Sequence, residues 1–116
     1  MVSQFTVTVP TTRNVSTPLT TSEAEAFRDE VVRRLSEVFG GATAIQGVGG
    51  YVANDGSLVK ETVYIVSSYG QQSAAATEAV FGIAAWLAAT LSQESVLVVI
   101  DNRVSFVTDS GEVTPL

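Results

Sequence analysis

The stretch from Gly47 to Ser68, GVGGYVANDGSLVKETVYIVSS, most restricts what this chain can fold into. Two runs with strand character flank Asn54-Asp55-Gly56-Ser57, and Asp-Gly between such runs is a strong hairpin signal. Taking Asp55 and Gly56 as the two central turn residues fixes a register. Val52 then faces Val59, Gly50 faces Glu61, Val48 faces Val63, and Tyr51 faces Lys60. Val48, Val52, Val59, Val63 and Ile65 share one strand face in that register, so that face is expected to meet the helices. Glu61 is the one charge on it and lies opposite the bare Gly50. A carboxylate in such a place must be paired, hydrogen-bonded, protonated or opened to a cleft, and burial would raise its pKa. Glu61 is therefore the candidate acid or base, with Tyr64 or Tyr51 to orient a substrate. A bulge near Gly49-Gly50 would instead exchange the two faces and put Glu61 in water. The opposite face would carry Tyr51, Lys60, Thr62 and Tyr64, a surface for a ligand or a partner.

Other elements assemble around this hairpin. Phe5, Val7 and Val9 alternate with Thr6 and Thr8, which predicts a strand that Pro10 ends. Residues 11–21 read as a polar connector. Within it, Asn14-Val15-Ser16 has the form of a glycosylation acceptor, a chance match in a chain whose start lacks the pattern of a signal peptide. Ser22 and Glu25 have the spacing of a capping box and start a helix whose buried stripe is Phe27, Val31, Leu35 and Val38. Arg28, Arg33, Arg34 and Glu37 form its solvated side, and Gly40-Gly41 supplies the stop. Ser73 caps a second helix running to about Leu91, with Ala76, Val80, Ile83, Ala84, Leu87 and Leu91 inward. Its outer side is Glu78, Gly82, Ala85 and Ala89, flanked by Phe81 and Trp86. A single charge there is unusual against water, and small residues in a row let another backbone come close. Val96 to Ile100 is an apolar run typical of a covered strand. Asp101-Asn102 turns into an edge strand, Arg103 to Val107, and residues 108–116 read as a flexible tail.

The order is β-α-β-β-α-β with an added strand. The expected fold is an α+β sandwich of the ferredoxin-like pattern over residues 1–107, with both helices on one face of an antiparallel sheet. The 116 residues suffice for one core. With 46% hydrophobic and 16% charged residues and a mean hydropathy of +0.31, some apolar surface is expected to lie at an interface. Twelve acids against six bases give a net charge of −6, which argues against nucleic acid as a partner. The uncharged run from Ala79 to Gln93 is too short to span a membrane, for which roughly 20 residues are needed. With no Cys and no His, thiolate and imidazole chemistry and the usual zinc sites are excluded, and a cytoplasmic location fits. No cofactor is implied, and the one set of carboxylates considered for a metal, Glu61, Glu94 and Asp101, has no local spacing that joins them.

With GGYVANDGSLVKETVYIVSSY and LSQESVLVVID in view, the chain resembles small bacterial proteins of unknown function over Phe5 to Val107. At the level of fold it is similar to small ferredoxin-like domains that dimerise, which include ligand-sensing modules and dimeric α+β barrel enzymes. Three functional expectations follow. The first is a non-catalytic binding or regulatory protein that associates with itself, as a homodimer or higher, through Gly82, Ala85, Trp86 and Ala89 or through a Tyr51/Tyr64 sheet face. The second is a small cofactor-independent enzyme that uses Glu61. The third is an inhibitor or sequestering protein for an enzyme or a small signalling molecule.

Overall fold

The computed structural model describes residues 1–14 and 16–116, so Val15, the centre of the Asn14-Val15-Ser16 tripeptide, lies outside the described residues. Strand β1 (Val2–Pro10) leads into the short pair β2 (Thr12–Arg13) and β3 (Thr17–Pro18), and helix α1 (Thr21–Phe39) follows. Then come β4 (Thr43–Val52), β5 (Leu58–Gln71), α2 (Ala74–Thr90), β6 (Val96–Ile100), β7 (Arg103–Val107) and β8 (Val113–Pro115). Six strands form one sheet in the order β4-β5-β1-β6-β7-β8, and every pairing is antiparallel. β1 sits at its centre, with Phe5 opposite Ser68 of β5 and Ile100 of β6.

Alternation decides which face is covered. Phe5, Val7 and Val9 are fully buried and join Val66, Val98 and Ile100 in one core with Val31 and Leu35 of α1, Val80 and Leu87 of α2, and Leu91, which caps the end of α2. Both helices contact β1, α1 also packs on β5 and α2 on β6, so the two cover the same side of the sheet. Phe39 at the end of α1 stacks on Phe5 with ring centroids 4.5 Å apart. That ring lies over Gly70, where an added Cβ would fall 2.5 Å from Phe39 Cδ1, so glycine is needed for the close approach. Buried polar groups are satisfied: the Ser68 hydroxyl donates to the Gly41 carbonyl at 2.7 Å, and the Ser3 hydroxyl to Gln72 Oε1 at 3.1 Å.

The inner stripe of α2 is buried as its spacing predicts. Several local expectations are corrected. The capping box of α1 is Thr20 with Glu23, two residues earlier than Ser22 with Glu25, because Thr20-Thr21-Ser22-Glu23 offers the same spacing. Val38 is 42% exposed and Phe39, four residues after the buried Leu35 and so on the same helix face, takes the inner position against Phe5. The segment after Pro10 is a small hairpin and not a plain connector. The C-terminal residues expected as a loose tail return as β8, which pairs with β7 from Ser105↔Pro115 to Val107↔Val113 and becomes the sheet edge.

The central hairpin carries the correction that matters most. Its loop is Ala53 to Ser57, closed by the Gly56 amide donating to the Ala53 carbonyl at 2.9 Å and by the Ala53 amide donating to Ser57 at 2.8 Å. Gly56 has φ +86°, the left-handed residue that follows the tight turn in a bulged three-residue loop. Asn54 and Asp55 are thus the central residues, in place of Asp55 and Gly56. The register moves by one: Tyr51 faces Val59, Gly50 faces Lys60, Gly49 faces Glu61, and Val48 faces Thr62. A slip of one residue exchanges sheet faces.

Candidate functional site

In the observed register Val59, Glu61, Val63 and Ile65 point away from the helices, together with Tyr51. Tyr64 points the other way. It is buried on the helix side, where the Arg28 guanidinium lies 5.2 Å from its ring centre. The sheet therefore brings Tyr51 and Glu61 together and separates Tyr64 from both. Val48 and Val52, expected inside, are 73% and 70% exposed at the outer end of the hairpin.

A cleft forms here because β5 outruns β1. Their pairing ends at Pro10↔Val63, so Leu58 to Thr62 have β4 on one edge and no strand on the other. The β2–β3 hairpin folds across this gap and is fixed at both ends. Thr11 Oγ1 donates to the Thr62 carbonyl at 2.5 Å, and the Asn14 amide donates to the Leu91 carbonyl at 2.9 Å. From the end of α2, Gln93 Nε2 donates to the Thr12 carbonyl at 2.8 Å. Ser92, with φ +51°, makes the turn that brings Gln93 there. The result is a cleft of about 490 Å³ whose polar lining includes Thr11, Thr12, Tyr51, Lys60, Glu61 and Gln93. That volume suits a small molecule.

Electrostatically the site is undercommitted. Among the described residues Glu61 makes no ion pair and no side-chain hydrogen bond, and neither does Lys60. The facing Gly49 gives Glu61 no cross-strand side chain, and a Cβ there would meet only ordinary contacts at 3.6 Å or more. A half-exposed carboxylate beside an aromatic ring can hold a cation or accept a proton. Glu61, Glu94 and Asp101 are not brought together, since no three acidic groups cluster among the described residues.

The small-residue side of α2 has a different fate. Trp86 is turned toward α1, 3.8 Å under the Arg34 guanidinium and 6.2 Å from Phe27 between ring centres. Gly82 and Ala89 are exposed, with open space above Gly82, and Ala85 is half-buried. No described helix is long and apolar enough to cross a membrane. Sequence reasoning missed Thr11, Thr12 and Gln93 as site residues. The signal available was the length and polarity of the segment after β1, in which long connectors tend to carry function.

A family model matches residues 5–106, and the chain belongs to that family, described as Protein of unknown function (DUF3574). No curated protein matches the chain. Among solved structures, the chain is similar to a phage SAM lyase in complex with S-methyl-5'-thioadenosine, with 20% identity and a TM-score of 0.63. The match covers 99% of this chain and 88% of that one. The same lyase in its apo state gives 20% identity and a TM-score of 0.61, covering 98% and 87%. At that identity the likeness concerns the fold.

Proposed function

We propose that this chain is a small cofactor-independent lyase of sulfonium nucleosides, with S-adenosylmethionine as the substrate and the cleft at Tyr51 and Glu61 as the active site. The observation that carries this reading is the Glu61 carboxylate, without a partner among the described residues, beside Tyr51 in a cleft of small-molecule size. Support comes from a fold that, in a similar chain, serves a SAM lyase. A sulfonium substrate is cationic, and an aromatic face with a carboxylate is a recognised way to hold such a group. The net charge of −6 favours its approach. In the cleavage the bonding pair passes to sulfur, and the neutral thioether leaves as S-methyl-5'-thioadenosine. The four-carbon fragment balances this in one of two ways. Its own carboxylate takes the place of sulfur and closes a ring, while Glu61 holds the cation. Otherwise Glu61 accepts the adjacent C–H proton and a carbon–carbon double bond forms.

Incubation with S-adenosylmethionine and chromatography of the products tests this. Release of S-methyl-5'-thioadenosine is expected, falling by about 10²-fold or more in Glu61→Gln, the usual weight of a positioned acid–base group. Binding of S-methyl-5'-thioadenosine without turnover would make the protein a non-catalytic binder at the same site, and neither binding nor turnover would overturn the reading.

The fold reading behind this is the ferredoxin-like one: β1, α1, β4, β5, α2 and β6 make the split β-α-β unit, and β7 with β8 extend its sheet. A second reading, self-association, rests on the face of the sheet that no helix covers. Ile45 faces Ile65, Leu97 faces Phe106 and Val99 faces Val104 across it, and Ile45 is 62% exposed. Glu61 is the one charge among these β4 and β5 positions, so a second copy can pack face to face with little repulsion. Of the two expected contacts, the α2 side and the Tyr51/Tyr64 sheet face, this reading favours the sheet, with Tyr51 on the open face and Tyr64 in the core. Light scattering at high micromolar concentration should report a dimer or larger, with Ile65→Lys monomeric and Ala85→Glu unchanged; a wild-type monomer refutes it.

A further inference from the structure

The sheet extends past its helices at the end opposite the Tyr51–Glu61 cleft. β7 and β8 continue it, and Arg103, Ser105, Val113 and Pro115 occupy its helix-side face there, as their pairing with the buried Ile100, Val98 and Val107 requires. No third helix covers this floor. The wall is the charge-poor side of α2. Two hollows of about 550 Å³ and about 270 Å³ meet along it and share Phe81 and Val113. Thr77, Asn102, Arg103 and Ser105 line the first, and Gly82 and Ala85 the second.

The cations of the molecule single out one end of this groove. Arg13, Arg28, Arg33 and Arg34 all take part in ion pairs, whereas Lys60 and Arg103 do not among the described residues. Each of these two lines a cleft. The anion nearest Arg103 in sequence, Asp101, feels its charge but is already engaged: Asp101 Oδ1 accepts from the Gln4 amide at 2.9 Å, and this bond is the main reason its pKa is lowered. Glu78, the residue after Thr77 on α2, lines the second hollow.

We propose that this groove is a second ligand site, for a monocarboxylate with an unbranched apolar tail of about eight to ten carbons. The carboxylate meets Arg103, whose planar fork suits it, with the hydroxyls of Thr77 and Ser105 and the Asn102 amide as further donors. The tail runs past Phe81 and over Gly82 and Ala85 toward Val113, where no side chain projects above Gly82. Thr77 to Ala85 is about 12 Å of helix axis at 1.5 Å per residue, the reach of such a tail.

Titration with sodium decanoate and with decanol, read by amide chemical shifts, tests this. Decanoate should shift Phe81, Ser105 and Val113 saturably and bind at least ten-fold more tightly than decanol. Arg103→Met should remove that preference, and Gly82→Leu, which fills the groove with a better helix former, should abolish binding of both without lowering the melting temperature. Equal affinity for decanoate and decanol, an unaltered preference in Arg103→Met, shifts confined to Tyr51 and Glu61, or no saturable shift would each overturn the proposal.

Discussion

The two faces of the sheet are both rich in apolar side chains, yet only one is covered. On the helix side Phe5, Val7, Val9, Val66 and Val98 are at most 1% exposed. On the other side Ile45, Ile65 and Phe106 are 62%, 37% and 36% exposed. The contrast shows that apolar content by itself does not locate a core. In a six-stranded sheet with two helices, one face meets the helices and the other keeps its Val, Ile and Leu for a partner or for water. The high mean hydropathy of the chain is explained by this second face. The same contrast separates the two clefts, which both lie where the sheet outruns its cover.

Three measurements sharpen that comparison. Leu87→Ala, in the wholly buried stripe of α2, should cost about 2–5 kcal/mol in denaturant unfolding, the range for a cavity in a tight core. Ile65→Lys, on the open face, should cost less than about 1 kcal/mol when unfolding is followed at a concentration low enough for monomers. A loss as large as that of Leu87→Ala would mean that the face is covered within one chain. The smallest effect belongs to the solvated side of α1, where Glu30 accepts hydrogen bonds from Arg33 and Arg34 and its pKa is pushed down to about 2 from 4.5. A depressed folded-state pKa stabilises above the unfolded value, and that stabilisation is lost as pH falls through the folded one. Glu30→Gln should therefore cost at most about 1 kcal/mol at neutral pH, and its melting temperature should converge on wild type between about pH 4.5 and 2.

Much of the fold was legible in the chain. The period of two in Phe5, Val7 and Val9, the α2 stripe and the Ser73 cap all sit where the pattern puts them. The hairpin register was not legible, because Asn54-Asp55-Gly56 supports both a two-residue turn and a bulged three-residue loop, and the difference is one residue. That ambiguity carried Tyr64 from the expected site to the core and joined Tyr51 to Glu61. The walls given by Thr11 and Thr12 and by Gln93 come from two distant segments, and no spacing along a chain announces such a convergence. The short β8 was hidden for another reason. Its Val113-Thr114-Pro115 has too few residues to show a period, and it is a strand only because β7 offers it an edge.

The central position of β1 has a consequence for how the chain is made. The strand that comes first in the sequence pairs with two that come late, through contacts such as Phe5↔Ser68 and Phe5↔Ile100. Closing such long loops costs entropy before any contact forms, which places the chain among slow, topology-limited folders. At 5–20 residues per second, synthesis from β1 to β6 takes on the order of 5–20 s, during which β1 has no second neighbour. The strand at the heart of the finished sheet is thus the part of the nascent chain that waits longest for its partners.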